Sequence, residues 1–288
     1  MGKKKFQDLL VRSLSGAVML LIVIGALWWS KWSAGALFAV LMFGGLFEFY
    51  RLCQKRGIAP MYILGIALSI ALFVPAFVIF LLWEPTAETS TIFETCRVAS
   101  RVPVMLVAIL PLIFIVELWR KKSTSIANIA TTIMGVAYVA LPMTLIFFIP
   151  RYLGNEWNPW AILAFISIIW VNDVFAYLVG VMFGKHRLCE RISPKKSWEG
   201  FFGGLAGAVG VSVLFGHLLD GDILVWGGLG LVTALAGVAG DLVESMMKRE
   251  ADVKDSGNIM PGHGGFLDRF DALYMAVPFA FVYLVAIS

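Results

Sequence analysis

Nine apolar runs of roughly 18 to 24 residues fill most of this 288-residue chain, at about 13–30, 33–50, 61–83, 103–119, 126–149, 159–183, 199–219, 223–243 and 270–287. A helix of that length crosses a hydrocarbon layer about 30 Å thick. Lipid offers the backbone no water to bond with, so each run is expected to satisfy its own amides as a helix. A mean hydropathy of +0.86 and a charged content of only 15% exclude an ordinary soluble domain, in which about a quarter of residues are charged. The expected fold is an all-α polytopic membrane protein with about nine transmembrane helices.

Orientation follows from the basic residues, which favour the cytoplasmic side of a membrane. With the N-terminus inside, 19 of the 23 Lys and Arg fall on the cytosolic side and 4 outside, namely Lys31, Arg97, Arg101 and Arg151. Losing or adding one early helix destroys that asymmetry. Nine spans with a cytosolic N-terminus and an external C-terminus therefore support each other. Trp28, Trp29, Trp32, Trp83, Trp157 and Trp160 all fall at the expected outer boundary, where an amphipathic ring prefers the interface. The basic start of the first run and the following "WSAGA" outline a signal peptide, but cleavage would leave eight spans and a weaker charge pattern, so the run is read as a helix. Cys53, Cys96 and Cys189 are isolated, and His186, His217 and His263 are scattered, so neither a disulfide framework nor a zinc set is legible.

Polar residues are sparse before residue 125. Glu48 and Glu117 lie near cytosolic helix ends and are expected to reach water or to pair with Arg51 and Arg120; the loop 84–102 carries mixed charge and no motif. Two regions follow: helices 1–4 within 1–125, and a chemically richer 126–288 with helices 5–9 and cytosolic loops 184–198 and 244–269.

In the richer region, "IIWVNDVFAYLVG" puts Asn172 and Asp173 well inside the sixth span. A carboxylate at that depth costs about 2.5 to 3.5 kcal/mol and should face protein or water with a partner, either tying helices together or serving a site. The next loop carries Ser193-Pro194-Lys195-Lys196-Ser197 directly before a helix start with Gly200, Gly203 and Gly204. A basic loop also suits anionic headgroups or simple topology. Hydroxyls, ammonium groups and helix-start amides together favour phosphate.

The last cytosolic loop interleaves acids and bases. Asp241 lies about 27 Å along the eighth run, near its cytosolic boundary, taking 1.5 Å per residue. Glu244, Ser245 and Lys248 follow it on one helical face. The ninth helix is expected to start near 267, which brings Asp268 and Asp271 to the same depth as Asp241. An acid in a first helical turn is favourable in itself, by about 0.3 to 1 kcal/mol, and Gly262, Gly264 and Gly265 are natural turn residues. Neither fact accounts for the mixture of charges. An anion alone would be repelled by the acids, and a cation alone would leave the bases without a purpose. Mg²⁺ with a polyphosphate uses both, and a glycine-rich turn lets amides approach a phosphate closely.

The segment Ser245-x-x-Lys248-Arg249, then four residues, Lys254-Asp255, then Pro261-Gly262-His263-Gly264-Gly265-x-x-Asp268-Arg269-x-Asp271 resembles the signature of the phosphatidate cytidylyltransferase (CDP-diacylglycerol synthase) family. "NDVFAYLVGVMFGKH" and "ISPKKSWEG" extend the likeness over about residues 168–273. Residues 1–125 resemble the family mainly in helix number and hydropathy. Met260 departs from the usual residue without touching a charged position.

The resemblance implies a nucleotidyltransferase that moves CMP from CTP to phosphatidic acid, giving CDP-diacylglycerol and pyrophosphate for phospholipid synthesis. It implies Mg²⁺ held by Asp241 and Asp268, with Asp173 a further candidate ligand and K⁺ a candidate second cation. Catalytic positions carried over are Lys248, Arg249, Lys254, Asp255, His263 and Asp271; substrate-binding positions are Ser193, Lys195, Lys196, Ser197, Ser245, Gly264, Gly265 and Arg269. His263 is given no proton-transfer role. The implied location is the bacterial cytoplasmic membrane with the site on the cytosolic face; the implied partners are CTP, phosphatidic acid and the bilayer, with a homodimer as a candidate assembly and no nucleic acid.

None of the three histidines belongs to the His-x-Gly-His loop of soluble cytidylyltransferases, and there is no Asp-Gly-x-x-Ala-Arg segment of a CDP-alcohol phosphotransferase. A CTP-dependent lipid kinase and an ion-coupled transporter are the competing readings; the former releases CDP, and the latter predicts polar groups at the midplane rather than at one face.

Overall fold

A computed structural model describes residues 3–82, 108–154, 157–259 and 264–288, with side chains from residue 14 onward. Among these residues the chain forms nine helical segments: α1 (Lys3–Trp29), α2 (Lys31–Gln54), α3 (Tyr62–Leu82), α4 (108–120), α5 (Ser125–Gly154), α6 (Pro159–Phe183), α7 (Trp198–Leu218), α8 (Ile223–Glu250) and α9 (Leu267–Ile287). They coincide one for one with the nine runs. Seven, α2, α3 and α5 to α9, are long and apolar enough to cross a membrane. The apolar part of α1 among the described side chains, Leu14–Trp29, is shorter, and the expected start of the fourth run lies outside the described residues. Helix α8 extends beyond the expected 243 to Glu250, carrying Glu244 and Lys248 on the same rod as Asp241. One departure from all-helix is a small antiparallel hairpin, β1 (Arg187–Cys189) and β2 (Ser193–Ser197), in the loop between α6 and α7.

The described residues form two compact units, Met1–Phe147 with Glu250–Phe270, and Phe148–Arg249 with Asp271–Ser288. The 126–288 region that carries the signature contributes to both.

In the first unit, α1 turns into α2 through Ser30 and Ser33, each of whose hydroxyls accepts the other's backbone N–H, at 3.1 and 3.0 Å. This reciprocal cap satisfies two helix-start amides. Trp28, Trp29 and Trp32 around it are all exposed, as an interfacial position requires. Pro142 has no amide hydrogen for its helix, and α5 accommodates it with a π-turn at Val136–Ala140 and a 3₁₀ turn at Ile146–Phe148. Tyr50 of α2 wedges against Gly65 of α3 and Gly135 of α5, where a β-carbon would strike its ring, and donates its hydroxyl to the Thr132 carbonyl at 2.7 Å.

Glu117, expected to reach water or pair with Arg120, does pair with Arg120 at 2.7 Å but is buried, not solvated. Asn128 donates to its other oxygen at 2.6 Å, while Asn128 and Thr132 accept from the backbone of Ala59 and Met61 at 2.7 and 2.9 Å. A buried carboxylate is tolerated here because charge and hydrogen-bond partners are both supplied. The network pins the α2–α3 connection and leaves no chemistry to assign to Glu117.

In the second unit the dominant packing is α6 against α7. Gly200, Gly203, Gly204 and Gly207 recur on one face of α7 and meet Ala176, Val179, Asn172 and Phe175 of α6. A β-carbon at Gly200 would lie 2.6 Å from the Ala176 carbonyl oxygen and 3.2 Å from the Cα of Gly180. Small residues thus let the two backbones approach closely, as membrane helices without an internal hydrophobic drive require.

Candidate functional site

The close α6–α7 packing fixes where the hairpin stands. Ser197 caps α7, its hydroxyl accepting from the Gly200 amide at 3.2 Å. In the first turn, Glu199 accepts from the Lys185 amide at 3.1 Å and contacts His186 Nδ1 at 2.6 Å, joining the end of α6 to the beginning of α7. β2 therefore presents Lys195 and Lys196 toward a cavity of about 480 Å³, which Asp173 of α6 and Asp241 of α8 also line. Arg187 of β1 lines it as well, a residue not singled out from the sequence because one more cation in a basic loop carries no pattern of its own.

One ion pair crosses the cavity wall. Lys196 Nζ forms an ion pair with Asp241 Oδ2, and the Ser245 hydroxyl donates to the other Asp241 oxygen at 3.3 Å. The amide of Asn172 donates to Asp173 at 3.4 Å, so the sixth-span pair is a neighbour contact within α6, with Asp173 on the cavity wall. Ser193 sits opposite Cys189 in the hairpin register.

Behind Asp241 lie two further carboxylates. Oxygens of Asp241, Glu244 and Asp271 all fall within 4.8 Å of one another. The convergence depends on Gly240, where a β-carbon would sit 2.6 Å from the Asp271 carbonyl and 2.8 Å from the Met275 β-carbon, so only glycine lets α8 approach the start of α9 this closely. Glu244 is buried and pairs with Lys248 at 2.6 Å, one helical turn on. Asp271 also accepts from the Ala272 amide at 2.8 Å. Three hard oxygen ligands, with ammonium groups of Lys196 and Lys248 beside them, suit a hard divalent cation that shares its coordination with phosphate. The donor set therefore fits Mg²⁺. Glu244 was on the expected helical face but was not assigned as a ligand; its i+3 spacing from Asp241 was the available signal.

Apart from Arg249, the remaining described signature residues belong to the first unit. Asp268, expected as the second metal ligand, uses Oδ2 to accept from the Ser256 amide at 2.8 Å, the Ser256 hydroxyl at 2.9 Å and the Gly265 amide at 2.8 Å. The Gly265 N–H, expected to be open to phosphate, is thus turned onto Asp268. Gly264 adopts φ +85°, a conformation that disfavours any side chain, and a β-carbon there would strike Asp268.

Glu48, expected at a solvated helix end or beside Arg51, is instead buried at 2% exposure. Its Oε2 accepts from the Ser256 hydroxyl at 3.0 Å and the Leu267 amide at 2.9 Å. Nothing in the sequence connects positions 208 residues apart, so this partner was not legible. Arg249, Lys254, Asp255 and Arg269 are exposed. His263 lies outside the described residues, as does loop 84–102.

A family model described as "Cytidylyltransferase family" matches residues 10–287. Among curated proteins the chain is similar to the phosphatidate cytidylyltransferase of Staphylococcus aureus (strain COL), 42% identical over 167 residues, which is 57% of this chain and 62% of that protein. Proteins of the same name from Staphylococcus epidermidis (strain ATCC 12228 / FDA PCI 1200) and Staphylococcus haemolyticus (strain JCSC1435) are 39% and 38% identical over the same shares. The chain thus matches somewhat less than two thirds of the length of these relatives.

Proposed function

This chain belongs to the cytidylyltransferase family, and on that premise we propose that it transfers CMP from CTP to phosphatidic acid, releasing pyrophosphate and CDP-diacylglycerol. The name shared by its relatives supports the lipid acceptor. The observation that carries the reading is the meeting of the two charge types: Lys195, Lys196 and Arg187 around a cavity whose wall includes Asp241, with Glu244 and Asp271 beside that acid.

The reaction brings two anions together. A phosphatidate oxygen attacks the α-phosphorus of CTP, a new P–O bond forms, and the bond to the β-phosphate bridging oxygen breaks as pyrophosphate leaves. The nucleophile is already ionised, so no strong general base is required. The difficulty is charge and orientation. Mg²⁺, when bound, supplies positive charge to phosphate oxygens. Asp241, Glu244 and Asp271 are the residues that would hold it, Asp268 keeps the metal-binding role that the family resemblance implies, and K⁺ is a candidate for a second site.

Lys195 and Arg187 offset phosphate charge in the cavity, while Lys196 both meets phosphate and orients Asp241. Lys248 neutralises Glu244 so that three acids can stand together. Tyr177, Val181 and Phe201, apolar lining of the same cavity, suit the glycerol end of a lipid whose acyl chains stay in the bilayer. The Lys and Arg distribution supports a site on the cytosolic face of a bacterial cytoplasmic membrane.

The test is turnover of labelled CTP and phosphatidic acid by detergent-purified protein. Asp241→Asn and Asp271→Asn, shown to be folded, are expected to lose activity on the order of 10²-fold or more. Near wild-type turnover in either would remove the metal assignment.

A further inference from the structure

Glu48 lies outside the signature, in α2, yet it holds both described arms of that segment. Its Oε2 takes the Ser256 hydroxyl from one arm and the Leu267 amide from the other. The Ser256 hydroxyl is shared at 2.9 Å with Asp268, whose same oxygen takes the amides of Ser256 and Gly265. All these groups lie within the first compact unit.

The surroundings are shaped to the Glu48 carboxylate. A β-carbon at Gly257 or Gly265 would collide with it, and a β-carbon at Gly257 would also lie 3.2 Å from the Cα of Gly265. Two glycines from opposite arms thus close over one buried acid. Its other oxygen, Oε1, has no hydrogen-bond partner among the described residues. Burying a carboxylate among neutral donors is costly, and a core position in α2 would be more stable with an apolar side chain. The cost is intelligible where the acid fixes a conformation that the site needs.

We infer that Glu48 is a positioning residue for the transfer reaction: through Ser256 and Leu267 it sets the conformation of the signature arms and with it the orientation of the Asp268 carboxylate. It touches no substrate. An acid is suited to this because one carboxylate oxygen accepts two donors from different directions, which an aliphatic side chain cannot do. The inference rests on the proposed cytidylyltransferase reading for its kinetic part and on hydrogen bonding alone for its structural part.

The test uses the full-length protein in detergent, with Glu48→Ala, Glu48→Gln and Ser256→Ala, and Asn128→Ala as a control for simple loss of stability in the same unit. Amide hydrogen exchange is read without substrate over peptides containing Ser256, Gly265 and Leu267. Glu48→Ala is expected to raise exchange at these amides at least about tenfold and to lower kcat by about 10- to 100-fold, with a smaller change in KM for CTP. Glu48→Gln, which keeps an accepting oxygen, is expected to restore most of both. Ser256→Ala should reproduce part of the kcat loss, whereas Asn128→Ala should lower Tm without moving kcat in the folded fraction.

Unchanged exchange in Glu48→Ala overturns the inference whatever the activity. So does a kcat loss in Asn128→Ala equal to that in Glu48→Ala. If exchange rises as expected while the wild-type protein shows no CMP transfer, the clamp is upheld and the proposed function is what has failed.

Discussion

Lys196, on the second strand of the hairpin, forms an ion pair with Asp241 of α8, so a residue of the basic loop and a candidate metal ligand share one contact. Both side chains keep partial solvent access, 27% and 37%. Exposed pairs of this kind contribute no more than about 1 kcal/mol to stability. The pair is therefore better placed to serve charge compensation at the site than to hold the fold. Lys196→Ala is expected to shift Tm by less than about 4 °C. Its kcat should fall on the order of 10²-fold. Thermal unfolding and turnover on the same preparation check both halves.

Metal binding has a readout independent of catalysis. A ligand that binds only the folded state at 100 times its Kd stabilises it by about 2.7 kcal/mol. Mg²⁺ is expected to raise Tm of the wild-type protein and to do so much less in Asp241→Asn and Asp271→Asn. A rise of equal size in all three would place the ion elsewhere.

Glu244, itself buried, forms an ion pair with Lys248, and Glu244→Gln removes the charge from one side of that pair. Glu244→Gln is expected to cost about 3 to 5 kcal/mol, as breaking such pairs does. The double variant Glu244→Gln with Lys248→Met should recover stability but not turnover, since the third acid is still missing. Chemical denaturation of the single and double variants separates the two effects.

Gly240 tests the geometry without touching a charge. The β-carbon of Gly240→Ala would lie 2.6 Å from the Asp271 carbonyl, closer than ordinary packing permits. Overpacking of this kind costs about 1 to 3 kcal/mol. The helices must part, and the Mg²⁺-dependent rise in Tm should shrink together with activity. Gly227→Ala, on the same helix, meets only the edge of Val213 at 3.5 Å and is expected to leave both unchanged.

Much of this was legible in the residues. Apolar runs long enough to cross a bilayer located the helices, because lipid leaves a chain few alternatives to a helix, although α1, α5 and α8 extend beyond their runs. The acids of α8 and the lysines before α7 stood out in the sequence as interleaved charge, and the structure brings Lys195, Lys196 and Asp241 to one cavity. Helix length was underestimated for α8, since hydropathy reports where lipid ends and not where hydrogen bonding does. The roles of Glu48 and Glu117 were missed for a common reason: each is buried by partners remote in sequence, and burial of an acid at a helix end cannot be inferred from its neighbours. Asp268 shows the same limit. Its position in the signature was plain, but its bonds to Ser256 and Gly265 depend on the path of the loop.

The central claim is the chemistry of the transfer, and it is tested most directly by following both ends of CTP. Purified protein would be given phosphatidic acid, Mg²⁺ and CTP labelled at either the α- or the γ-phosphate. The account predicts that α-label enters the lipid as CDP-diacylglycerol and γ-label leaves as pyrophosphate, in equal amounts and only with Mg²⁺. Transfer of γ-label to the lipid with release of CDP would contradict it.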